Sequence, residues 1–248
     1  MPPIQRILIP LDSHDPKAWP AALTSAMSLC ASEGSQSIIL LVPSRPQLKN
    51  TTLAGVIGVQ SAKALSKGDT LSLPGGITLS ADGWKTFRIG AKKTVVIAYY
   101  TDDTALELIE GVANIVGLVA VPDLVGRAPQ WVARWNPTVP GQPAQAPAVI
   151  IADSRVVKAL ESLTAGANLG QGMLGPIDKQ SAQDTFRILR NKGHSAPVGT
   201  VKSWAIQHGW KPKAAGELEV IAQRAFGLSG KPSLAKVVNA QLRYDRWV

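Results

Sequence analysis

The chain has 248 residues, 45% of them hydrophobic and 17% charged, with 26 Lys+Arg against 17 Asp+Glu. That composition can bury a substantial core, as one large domain or two small ones, and it excludes wholesale disorder. A single cysteine, Cys30, and three widely separated histidines, His14, His194 and His208, exclude an intrachain disulfide and a thiolate cluster and leave no ligand spacing for zinc, so no metal site is expected.

No apolar run reaches the roughly 18 residues that a membrane span needs. The start, MPPIQRILIPLDSHD, has no basic segment followed by a signal-peptide core. The expectation is a cytoplasmic protein with no membrane partner. The formal net charge of +9 suggests an anionic partner without naming one.

In chain order, Arg6–Leu11 is a short apolar run that predicts a strand. Asp15-Pro16 then reads as an N-cap with proline at the first helical position, opening a helix to Glu33 that Gly34 ends. Ser37–Pro43, Thr94–Tyr100 and Gly117–Pro122 are continuous apolar runs, as in strands buried on both faces of a parallel sheet. Between the second and third strands, Ala54–Leu65 predicts a helix, and Thr70–Leu79 predicts two short strands around Pro74-Gly75-Gly76 at the sheet edge. Thr101-Asp102-Asp103 is expected to cap a helix over Thr104–Ala113. Strand and helix alternating at these lengths predict a Rossmann-like α/β domain over residues 1–135.

Asn136–Ala148 carries Pro137, Pro140, Pro143 and Pro147. Prolines at that density break helices and remove ladder donors, so an extended linker is expected there. Beyond it, residues 149–248 read as a small all-helical domain, with helices over Ser154–Ala165, Lys179–Lys192, Val198–His208 and Ala214–Ala225, and a further one in the tail. Gly193, Gly209 and Gly227 stand where helices should end. The charge divides unevenly at the linker. Residues 1–150 hold 12 basic and ten acidic side chains, whereas residues 151–248 hold 14 and seven.

Pro10 in the first strand, Asp12-Ser13 at its carboxyl end, the alanine-rich helix and the IILLVP strand resemble the opening βαβ of the universal stress proteins. That resemblance covers residues 6–43 and implies an adenine nucleotide near Asp12. The family's glycine-rich phosphate loop is not matched, since Gly111–Pro122 offers only Gly111 and Gly117. Val201–Phe226, with Trp204-Ala205, Gly209 and Phe226, resembles the C-terminal DNA-binding domain of actinobacterial histone-like nucleoid-associated proteins. That domain's Arg-Gly-Arg loop corresponds here to Ala215-Gly216-Glu217. Gly170-Gln171-Gly172 followed by Gly175 spells a dinucleotide fingerprint, but it follows a predicted helix rather than a strand and reads as a turn.

The candidate functional residues fall into three groups. Lys202, Lys211, Lys213 and Arg224 could contact the phosphates of DNA or RNA; otherwise they form a solvated face around a core Trp204. Asp12, Ser13, His14, Asp102 and Asp103 could converge on one crevice beyond the strand ends; otherwise each caps a helix. Trp131 and Trp135, four apart, could present a stacking or partner-docking face; otherwise they pack against the sheet. The leading functional expectation is a nucleic-acid-associated accessory or regulatory protein whose α/β domain binds a partner or small ligand. The alternatives are a nucleotide-binding, possibly hydrolysing, α/β protein with a helical lid or oligomerisation domain, and a protein–protein interaction module. No catalytic signature and no cofactor emerge.

Overall fold

The long apolar runs become the centre of a six-stranded sheet. The structure, a computed structural model, describes residues 4–110, 112–143, 149–170 and 172–248. It divides into two compact units, Met1–Pro147 and Ala148–Val248. In the first unit the strands are β1 (Gln5–Leu8), β2 (Ser37–Val42), β3 (Leu71–Ser72), β4 (Thr78–Gly83), β5 (Thr94–Thr101) and β6 (Ile115–Pro122). Their order across the sheet is β1-β6-β5-β2-β4-β3, and every pairing is parallel except β3 with β4.

Alternation along the central strands feeds two cores. Ile38, Leu40, Val95, Ile97, Val119 and Val121 face α1 (Ala18–Glu33), α2 (Thr52–Ile57) and α3 (Val59–Lys67). Leu41, Val96, Ala98, Leu118 and Ala120 face α4 (Asp103–Glu110) and α5 (Pro129–Trp135). Both sheet faces are thus covered, which is why these strands read as unbroken apolar runs. Gly117 lets α1 approach closely, because a Cβ there would lie 2.8 Å from Leu29 Cδ1 and 3.2 Å from Leu29 Cβ.

The structure moves several expected boundaries, each for a local reason. The first strand ends at Leu8 rather than Leu11: Ile9 donates one more bond to Ala120, and Pro10 has no N–H to continue. Helix α1 starts at Ala18, not Pro16, because Asp15 spends its side chain on the Lys17 amide and its carbonyl on that of Ala18, forming a turn first. The helix expected over Ala54–Leu65 is two helices, broken where Gly58 takes φ 91°. The hairpin around Pro74-Gly75-Gly76 does lie at the sheet edge, and β4 joins the sheet parallel to β2.

The expected linker begins inside the first unit. The Asn136 amide closes α5, and Thr138 exchanges backbone bonds with Arg6 and Leu8, lying beside β1 as an isolated bridge. Residues 144–148 of that linker, Gly111 and Gln171 lie outside the described residues.

The second unit is helical: α6 (Ser154–Gly166), α7 (Pro176–Asn191), α8 (Thr200–Gln207), α9 (Pro212–Phe226) and α10 (Ala240–Asp245). Phe186, Trp204, Trp210, Leu218 and Trp247 are buried there. The Trp210 indole N–H bonds to Thr164 Oγ1 at 2.9 Å, and Phe186 meets Phe226 edge to face. Gly193 and Gly209 take the left-handed conformation expected after a helix, but Gly227 does not, with φ −77°. None of the described helices is long and apolar enough to cross a membrane.

Candidate functional site

The connections leaving β2 and β5 part company. The chain after β2 runs through α2 and α3 on one face toward β4, whereas the chain after β5 runs through α4 on the other face toward β6. Since β2 and β5 are neighbours, a crevice must open between their carboxyl ends, the position at which open parallel sheets bind ligands. A cleft of about 330 Å³ lies there, lined by Val42, Pro43, Ser44, Gln47, Thr51, Tyr100 and Asp123. Its size is that of a small-molecule site, roughly 300–1,000 Å³.

Tyr100 gives this cleft its character. Its φ is +62° and the β5–β6 register shifts between Tyr99 and Thr101. For a bulky residue that conformation costs on the order of 1–3 kcal/mol and persists only where the surroundings impose it. Regular alternation would send Tyr99 and Tyr100 to opposite faces; the twist puts both rings against the same core, 5.0 Å apart and edge to face. Tyr99 is buried, donates from its hydroxyl to the Ser13 carbonyl, and has its phenol pushed up by burial and then by Tyr100 and Asp15. Tyr100 ends at the cleft, where its hydroxyl accepts from the Leu53 amide and meets Thr52 Oγ1, both at 3.3 Å.

Asp123 also lines the cleft, and His14 lies beside it without lining the cleft itself. His14 Nδ1 lies 3.1 Å from Thr52 Oγ1, its ring lies 5.9 Å from that of Tyr100, and Nε2 is 3.8 Å from Asp123 Oδ1. Both side chains are about half exposed. Ser13 is buried and donates from Oγ to the Asp123 carbonyl. Asp12 accepts from the Val125 amide at 2.6 Å. Asp12 and Ser13 therefore cap no helix; they tie the end of β1 to the loop leaving β6 and so place His14 beside Asp123.

The expected convergence of five residues is corrected to a smaller set. Asp102 accepts from the Ala105 amide and caps α4. Asp103 accepts from the amides of Gln130 and Trp131, fastening α5 to α4. None of the five expected residues lines the cleft itself; Ser13 and His14 stand behind it, against Asp123. The residues missed by sequence reasoning are Ser44, Gln47, Thr51, Tyr100 and Asp123. Asp123 directly follows β6 and is open to the carboxyl-end argument already applied to Asp12, whereas the Tyr100 twist leaves no trace in residue types. Among the described residues no group of three or more His, Cys, Asp or Glu side chains is arranged to hold a metal ion.

The tryptophan pair is also corrected. Trp131 is 1% exposed, packs in the core beneath α4, and donates its indole N–H to Glu110 at 2.7 Å. Glu110 also takes a two-pronged ion pair from Arg6, whose guanidinium lies 3.4 Å over the ring of Trp135. A free stacking face is therefore not what Trp131 and Trp135 form; they are the packing around a buried charge pair.

In the second unit, Lys211, Lys213 and Arg224 are exposed and Lys202 is half-buried. Lys213 and Arg224 are 11 residues apart on α9, close to three whole turns, and so share a face. Ala215-Gly216-Glu217, which the resemblance would place in a loop, lies within α9, in keeping with the helix read over Ala214–Ala225; Pro212 starts that helix two residues earlier. Glu217 pairs there with Lys179 at 3.2 Å. Trp204 is buried and stacks on His208.

Residues 152–248 match the model of a family described as a domain of unknown function, DUF1889. Comparison of the chain with curated proteins and with solved structures gave no match.

Proposed function

We propose that the first unit binds a small polar organic molecule of the nucleoside class in the cleft between β2 and β5. The observation that carries this reading is Tyr100, held in a left-handed conformation that puts its ring at the mouth of a cleft at the sheet's switch point. An aromatic ring supplies a stacking face for a base, while Ser44, Gln47, Thr51 and the Asp123 carboxylate supply hydrogen-bond groups suited to a sugar's hydroxyls. No lysine or arginine is among the lining residues, and the one charged group there is an acid. That electrostatics favours a neutral or cationic ligand over a triphosphate.

The test is thermal unfolding and calorimetric titration of the full chain with the common nucleosides and their triphosphates. At a hundredfold excess over Kd, binding adds about 2.7 kcal/mol to stability. The expected result is a rise in Tm with at least one nucleoside, no tighter binding of its triphosphate, and loss of the response in Tyr100→Ala and Asp123→Asn. No response to any nucleoside at millimolar concentration overturns the reading.

A second reading concerns the second unit. The exposed Lys213 and Arg224 on one face of α9, with Lys211 at its start, favour contact with nucleic-acid phosphates.

A further inference from the structure

Three side chains that are distant in the chain meet in the second unit. Asp153 lies just before α6, His194 follows α7, and Tyr244 is on α10. His194 Nδ1 is 2.7 Å from Asp153 Oδ2, and His194 Nε2 is 2.8 Å from the Tyr244 hydroxyl. The other Asp153 oxygen is held by the amides of Arg155 and Val156. Partial burial pushes the Asp153 carboxyl up, but the bonds from His194 and the α6 amides outweigh that effect and hold it below its ordinary value. A fixed carboxylate of this kind retains the proton on Nδ1 and leaves Nε2 free to accept. The hydrogen-bond partner of that nitrogen is the phenol.

Two cations flank the same ring. The Arg155 guanidinium lies 4.6 Å from the Tyr244 ring centre and Lys192 Nζ 5.1 Å from it. Positive charge at this position stabilises a phenolate as it forms and attracts an anionic substrate. The Asp153 and His194 side chains are 31% and 20% exposed, so the group opens to solvent rather than lying in the core. A carboxylate-oriented base bonded to a hydroxyl is the arrangement that activates a nucleophile.

We propose that Asp153, His194 and Tyr244 form a nucleophilic site acting on phosphodiesters. The Tyr244 oxygen attacks phosphorus and its proton passes to His194 Nε2. The new bond joins phosphorus to the phenolic oxygen, and the bond from phosphorus to the departing oxygen breaks. His194 returns the proton to that leaving oxygen. Arg155 and Lys192 offset the charge on the phosphoryl oxygens, and Asp153 acts as a positioning residue for His194. The inference stands apart from the cleft of the first unit and from any groove-binding by α9.

The test uses the full chain and bis(4-nitrophenyl) phosphate, a diester that requires no sequence recognition. The expected result is a burst of about one nitrophenolate per chain, with the added mass on the peptide containing Tyr244. Tyr244→Phe, which keeps the ring and its packing, abolishes the burst. His194→Gln slows it about a hundredfold, the lower end of what general-base catalysis supplies. Asp153→Asn, which retains an acceptor for the α6 amides, slows it while the far-UV spectrum and Tm stay near those of the parent chain. No burst from the parent chain at millimolar diester overturns the proposal, and so does a burst that survives in Tyr244→Phe.

Discussion

Single residues decide how the first unit is assembled. Gly117 is in β6 under α1, and a methyl group there would collide with Leu29. Overpacking of this kind costs typically about 1–3 kcal/mol. Gly117→Ala should therefore unfold at lower urea, with an unchanged dependence on denaturant, because the surface exposed on unfolding stays the same. Tyr100 shows the limit of reading residues from a string. Thr94–Tyr100 was legible as a buried strand because its apolar residues run without interruption. The twist at Tyr100 was not, since tyrosine has no preference for positive φ and only the surrounding packing imposes it. His14 was singled out from its place after the first strand; it lies beside the cleft, and its neighbours come from α2, from Tyr100 and from the loop beyond β6.

At the scale of elements, breaks and caps set what the sequence conceals. Strands buried on both faces announce themselves; helices interrupted by one glycine or started by one proline do not, which is why Gly58 and Pro212 moved the boundaries. Glu219 is a hidden cap. It is buried on α9, yet its carboxylate accepts from the amides of Gly199 and Lys202 at the start of α8, both at 2.8 Å, and from Gln223. No local motif marks it, because the cap lies about 20 residues from the helix it serves. Hydrogen bonds to charged groups contribute about 1.5–3 kcal/mol, and losing this carboxylate leaves two amides of α8 without it. Glu219→Ala should destabilise the chain by about that much in equilibrium unfolding, with amide exchange accelerated first over residues 199–203.

For the whole molecule, the informative quantity is the uneven charge. The segment of residues 151–248 carries seven more basic than acidic side chains, and the exposed Lys211, Lys213 and Arg224 belong to it. If these three contact phosphates, the logarithm of DNA affinity falls linearly with the logarithm of salt, with a slope of about −0.9 per contact on duplex DNA. The triple alanine variant should then flatten that slope by about 2.7. Binding with a slope indifferent to the three substitutions would rule out α9 as the contact. The domain-level charge contrast needed only the sequence; the Asp153–His194–Tyr244 group did not show in it, since its spacings of 41 and 50 residues follow no motif.

The position of β1 bears on how the chain matures. Gln5–Leu8 pairs with Gly117–Ala120 and, through Thr138, with the end of the first unit. Within the first unit, the strand made first is thus among the last to find its neighbours, after more than a hundred further residues have been made. Until then β2, β5 and β4 can associate, but the edge of β5 that β6 will occupy stays open, and β1 has no partner. Such late closure across a long loop slows folding and leaves an unpaired strand exposed to other chains. It places the slow step of biogenesis in the arrival of β6 and Thr138, and the vulnerable interval before it.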